Sequence, residues 1–66
     1  MKLFINGEKK EFNEDVTLIQ IIKELKIENK IMAIAINMEV VIKDQWNTVI
    51  LKKNDKIDFL EFVGGG

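Results

Sequence analysis

The 66-residue sequence predicts an α+β fold, a mixed sheet of four to five strands packed on one helix in the order ββαβββ. Three observations carry this reading. Short β-prone runs are separated by turn pairs such as Asn6-Gly7 and Asn54-Asp55. One stretch alone, from Leu18 to Leu25, combines helical periodicity with a start signal in front of it. The composition, 47% hydrophobic and 32% charged, suits a single small core and is too apolar for disorder.

Each element follows from local chemistry. Lys2 to Ile5 is a first strand, and Asn6-Gly7 supplies the pair that tolerates positive φ in a two-residue hairpin turn. A second strand runs from Glu8 to about Phe12. Thr17 and Gln20 form a capping box at the helix start, with Val16 and Ile21 placed as a hydrophobic staple across it. Leu18, Ile21, Ile22 and Leu25 then make the apolar stripe, while Lys23, Glu24 and Lys26 face water. After a loop at Glu28-Asn29-Lys30, Ile31 to Ile36 is a strand with Ile34 and Ile36 on one face and Ala33 and Ala35 on the other. Asn37-Met38-Glu39 turns the chain into Val40-Val41-Ile42. Lys43 to Asn47 is a loop or one helical turn, and Val49 to Leu51 is a short extended piece. Lys56 to Val63 is the last strand, with Ile57 and Phe59 pointing inward.

One helix covers only one sheet face. The first and last strands fit side by side and parallel at the sheet centre, with the two hairpins outside them. That layout is the β-grasp arrangement. Residues 1–63 are expected to form the domain and residues 64–66 a flexible tail.

Composition also removes chemistries. With neither Cys nor His there is no disulfide, no thiolate or imidazole metal site, no cysteine nucleophile and no histidine acid-base catalysis. The chain is therefore not expected to be an enzyme. Ten basic residues, all lysine, against eleven acidic ones give a net charge of −1, with no basic face for a phosphate backbone, so nucleic acid is not an expected partner. The longest apolar run, Ile31 to Ile36, is far short of the ~20 residues of a membrane span, and Met1 to Ile5 is too short for a signal-peptide core. A cytoplasmic protein with no membrane partner is expected.

Three of the four glycines are the last three residues. Lacking a Cβ, such a tail passes through channels that side chains would block. Taken alone, the run also reads as a frayed or added terminus. Its context favours use, because it follows directly from Phe62-Val63 at the end of a core strand. A carboxylate at the tip is a poor electrophile until it is joined to a good leaving group such as AMP. The sequence has no phosphate-cradling glycine loop, so no cofactor is expected on this chain and ATP would be used by a partner.

Met1-Lys2-Leu3, Asn6-Gly7, Thr17-Leu18, Val40-Val41, Trp46, Leu51, Asp55 and the closing Phe62-Val63-Gly64-Gly65-Gly66 together resemble the ThiS family of sulfur carriers in thiamine biosynthesis, over essentially the full length. The resemblance implies a ubiquitin-like β-grasp fold and a carrier cycle. A ThiF-type adenylating enzyme, similar to ubiquitin-activating enzymes, would adenylate Gly66. Sulfur drawn from cysteine by a desulfurase would replace AMP and leave a thiocarboxylate. A ThiG-type thiazole synthase would take that sulfur, with Gly64 and Gly65 threading both partners' active sites. The molybdopterin synthase small subunit, a ubiquitin-like modifier and a β-grasp interaction module are the alternatives. The sequence departs from the family pattern at Met38 and Asn54, where Gly is expected, and at Ile42, where Pro is expected. Asn tolerates left-handed backbone, whereas Met does so poorly.

Strand alternation puts Leu60 and Phe62 on the face away from the helix. With Val63 they form a candidate partner-docking surface beside the tail, unless a bulge turns one of them inward. Trp46 reads as core in preference to a partner anchor. Lys9-Lys10 and Lys52-Lys53 read as solvated turn charges, and no catalytic role falls to Glu39, Asp44 or Asp58.

Overall fold

The computed structural model describes residues 1–62. Its elements are β1 (Lys2–Ile5), β2 (Glu8–Glu11), α1 (Leu18–Glu24), β3 (Ile31–Ile36), β4 (Glu39–Val41), a 3-10 turn at Lys43–Gln45, and β5 (Lys56–Glu61). The five strands form one sheet in the order β2-β1-β5-β3-β4. β5 runs parallel to β1 and antiparallel to β3, and the two hairpins lie outside this central pair as the sequence predicts.

The helix begins as expected. Gln20 N–H donates to the Thr17 hydroxyl at 3.1 Å, and Thr17 N–H donates to Gln20 Oε1 at 3.0 Å. Leu18, Ile21 and Ile22 are buried, and Val16 packs against the same core. Leu25 is the C-cap and is half-buried. The helix stop was not signalled by a glycine. Lys26 takes φ +58°, its N–H bonds Lys23 C=O, and the Ile27 N–H bonds Ile22 C=O, which together make a Schellman motif. Ile27 is buried in the same core as Ile22, and that burial holds a lysine in a backbone region glycine favours.

The core joins the helix to Leu3, Ile5, Ile34, Leu51, Ile57 and Phe59 from the sheet side and the loop before β5. Trp46 is half-buried against this core, and its Nε1–H donates to Val41 C=O at 3.0 Å, so it serves the fold.

Four boundaries differ from the sequence reading. β2 stops at Glu11, although the Phe12 N–H still bonds Met1 C=O at 2.8 Å. Lys9 and Lys10 therefore sit on an exposed edge strand and not in a turn. β4 begins at Glu39 because Asn37 and Met38, at φ +51° and +72°, complete a two-residue turn without any glycine. Val49 to Leu51 is not a strand: Leu51 is buried as a core plug, and the segment has no ladder partner. β5 ends at Glu61, and Phe62 follows with its N–H bonded to Lys30 C=O at 2.8 Å. Val63 and the expected tail lie outside the described residues.

Candidate functional site: the end of β5 and the open sheet face

β5 alternates strictly. Ile57 and Phe59 are buried under the helix, while Lys56, Asp58 and Leu60 face the other way. Leu60 is 58% exposed and Phe62 65% exposed, so both stand outward as the alternation predicts. The bulge considered from sequence exists, but on the neighbouring strand. Ile31 pairs with Glu61 and Ala33 with Leu60, so β3 carries one extra residue at Met32. Without it, Met32 would share the buried face of Ile34 and Ile36; with it, Met32 is 54% exposed.

The outer face has a simple plan. Ala33 lies beside Leu60, and Ala35 lies between Asp58 and Val40. The small alanines make a low floor with Leu60, Val40 and Met32 standing around it. Toward the end of β5 this floor runs into a groove whose lining includes Met32, Ala33, Val40, Trp46 and Phe62 together with the charged Glu28 and Lys43. Sequence reasoning identified Leu60 and Phe62 and missed Met32 and Val40, the first because a bulge depends on the partner strand and the second because a two-residue turn at Met38 was not anticipated.

Side chains from three turns fix β5 in place. β1 ends at Ile5, where the chain turns away, and Asn6 N–H still bonds Ile57 C=O at 2.9 Å. The next acceptor in the parallel ladder is supplied by a side chain: Phe59 N–H donates to Asn6 Oδ1 at 2.8 Å. At the strand's start, Lys56 N–H donates to Asn37 Oδ1 at 3.0 Å, and Asn37 Nδ2 donates to Asp55 Oδ1 at 2.9 Å. Asp55 Oδ2 accepts from Lys52 N–H at 2.7 Å, which closes the turn containing Asn54 at φ +70°. The strand leading to the chain end is held along its whole length.

Among the described residues no group of three His, Cys, Asp or Glu is placed to hold a metal, and no helix is long and apolar enough to cross a membrane. Gly64, Gly65 and Gly66, expected to thread and to react, lie with Val63 outside the described residues. What the described part presents is an exposed apolar cluster of Met32, Val40, Leu60 and Phe62 at the end of β5, bordered by the charged side chains of Asp58, Glu28 and Lys43.

A five-stranded mixed sheet of this order, over one helix and with its last strand at the centre, is a ubiquitin-like β-grasp domain. Its likeness to solved structures is close. The crystal structure of a thiamine biosynthesis protein (ThiS) from Geobacter metallireducens superposes with a TM-score of 0.81 at 26% identity, covering 100% of both chains. An NMR solution structure of a thiamine biosynthesis protein from the same organism gives 0.79 at 26% identity, over 100% of this chain and 88% of that one.

The ThiS family pattern matches residues 3–66, and the chain belongs to that family. It is 34% identical to the sulfur carrier protein ThiS of Bacillus subtilis, over 97% of this chain and 98% of that protein. It is also 35% identical, over its full length, to part of a thiazole synthase from Paramagnetospirillum magneticum, of which it spans only 20%.

Proposed function

We propose that this chain is the sulfur carrier for thiazole formation in thiamine biosynthesis, with the Gly66 carboxylate as its reacting group. The observation that carries the reading is the family match, which runs through the terminal glycines to residue 66. A carboxylate oxygen attacks the α-phosphorus of ATP on a ThiF-type enzyme, and pyrophosphate leaves. The resulting acyl adenylate is open to a persulfide sulfur, which originates in a cysteine desulfurase, and AMP leaves as that sulfur bonds the acyl carbon. A partner thiol then cleaves the sulfur–sulfur bond, forming a disulfide on the partner and releasing the thiocarboxylate. The chain itself catalyses nothing and holds no cofactor in this scheme. It supplies a rooted, slender electrophile.

Docking falls to Leu60 and Phe62, joined by Met32 and Val40 on the same open face. Partner enzymes bury this face while the glycines enter their active sites. Likeness to one fifth of a protein named thiazole synthase favours a ThiG-type synthase as the acceptor over the molybdopterin branch.

Intact-mass measurement after incubation with ATP, the adenylating enzyme and a sulfur donor tests the reading. The expected change is one oxygen replaced by sulfur at the C-terminus. An unchanged mass under conditions in which the enzyme consumes ATP would overturn it, and an adduct on another protein's lysine would establish a modifier in its place.

A further inference from the structure

The two edges of the sheet differ in kind. β2 reads Glu-Lys-Lys-Glu with all four residues exposed, a charged border of the sort that blocks strand addition. β4, at the opposite edge, carries Val40 and Val41 and is followed by Ile42 in extended backbone at φ −70°, ψ 151°. Met38, Val40 and Ile42 are all exposed. Ile50, 82% exposed, stands across a groove from Val40 along the same edge. The edge thus exposes Val40 and Ile42 on one side and Glu39 on the other, with Ile50 nearby.

Its backbone is also open. In an antiparallel ladder, pairs that exchange both hydrogen bonds alternate with pairs whose N–H and C=O point outward. Ile36 and Glu39 close the two-residue turn and so exchange bonds, which leaves Val40, opposite Ala35, with its N–H and C=O turned toward the free edge.

We propose that β4 pairs antiparallel with β4 of a second copy of this chain, centred on Val40. The occupant follows from self-complementarity. In this register Val40 meets its own counterpart in a doubly hydrogen-bonded pair and Glu39 lies opposite Val41, with the exposed Met38 and Ile42 flanking the short ladder at its ends. No two like charges are directly opposed, whereas β2 offers charges at every position. The two-fold axis stands perpendicular to the sheet. The product is one ten-stranded sheet with both helices on one side and both Leu60 faces on the other. β3 and β4 separate each β5 from the seam, so Leu60 and Phe62 of both copies stay exposed. The four apolar side chains from each copy offer on the order of 1,000 Å² for the pair, the lower bound of specific interfaces, which makes the association weak.

Sedimentation velocity of the full chain, from the low micromolar to the millimolar range, tests this. The wild type is expected to show a concentration-dependent monomer–dimer equilibrium. Val40→Lys and Ile50→Lys, both exposed along this edge, each raise the dissociation constant about tenfold or more, since each brings a charge into the seam. Leu60→Lys leaves it within about twofold, because Leu60 is on β5, and β3 and β4 stand between it and the seam. All three positions are exposed, and far-UV circular dichroism checks that each variant folds. A chain that sediments as a monomer throughout overturns the proposal. So does a dimer that ignores the Val40 and Ile50 substitutions, or one that Leu60→Lys weakens equally, which would place the contact on the open face.

Discussion

Replacing Met38 with glycine is expected to stabilise the protein. Met38 sits at φ +72° as the second central residue of the turn between β3 and β4, behind Asn37 at φ +51°. Left-handed backbone costs an L residue with a Cβ roughly 1–2 kcal/mol. Its side chain is 88% exposed, so removing it forfeits almost no burial within the monomer. Glycine returns about 0.5–1 kcal/mol of that relief through the greater freedom of the unfolded chain. The net gain is about 0.5–1 kcal/mol, which for a domain of this size raises Tm by roughly 2–8 °C. Calorimetry or urea melts at low micromolar concentration, below the range of self-association, measure it. Met38→Ala is the control: it truncates the same side chain but keeps the Cβ, so it gains little. If Met38→Gly destabilised the fold, or if the alanine variant gained as much as glycine, the argument from backbone strain would be refuted.

The same reasoning at the helix stop predicts that Lys26→Gly adds about 0.5–1 kcal/mol, read as a higher urea midpoint with an unchanged slope. Asn6→Gly keeps the left-handed turn but removes the acceptor of the Phe59 N–H; it is expected to cost about 1–3 kcal/mol and to speed hydrogen exchange at the Phe59 amide selectively. Leu60→Asp combined with Phe62→Asp changes exposed positions, so stability stays within about 1 kcal/mol, while the rate of thiocarboxylate formation with the adenylating enzyme falls about tenfold or more. Deleting Gly66 leaves the amide spectrum of residues 1–62 unchanged and abolishes thiocarboxylate formation, as read by intact mass.

What was legible in the sequence was local. Asn6-Gly7 announced a two-residue hairpin, Thr17 with Gln20 announced the helix start, and the alternation of Ile57, Phe59, Leu60 and Phe62 gave the two faces of β5. The strand order followed from having one helix and two hairpins to place. The missed features depend on partners distant in sequence or on residues in backbone states they rarely adopt. The bulge at Met32 exists only relative to β5, and Phe59 meets the Asn6 carbonyl across 53 positions of sequence. The turn at Met38 and the helix stop at Lys26 carry no glycine signal, because tertiary packing and ladder bonds hold non-glycine residues there. Asn37 and Asp55 were read as turn formers, yet their side chains also tie the β3–β4 turn to the start of β5.

These bonds bear on how a carrier of this kind works. In the proposed cycle the position of Phe62 limits where Gly66 can be presented. Four residues beyond Phe62 reach at most about 14 Å when fully extended. If Gly66 reacts as proposed, the enzyme must therefore bring its reacting centre within that radius of Phe62. The open face beside Phe62, with Leu60, Ala33 and Met32, lies inside such a radius, whereas β2 lies on the far side of β1 and β5. A short tail on a clamped strand thus restricts where any partner can sit. Asn6 and Lys30, which contact no partner in this scheme, set that restriction by holding Phe59 and Phe62 through their backbone amides. Loosening either bond would free the end of β5 at Phe62, and so lower the effective concentration of the proposed reacting group at the enzyme's centre without altering a single docking residue.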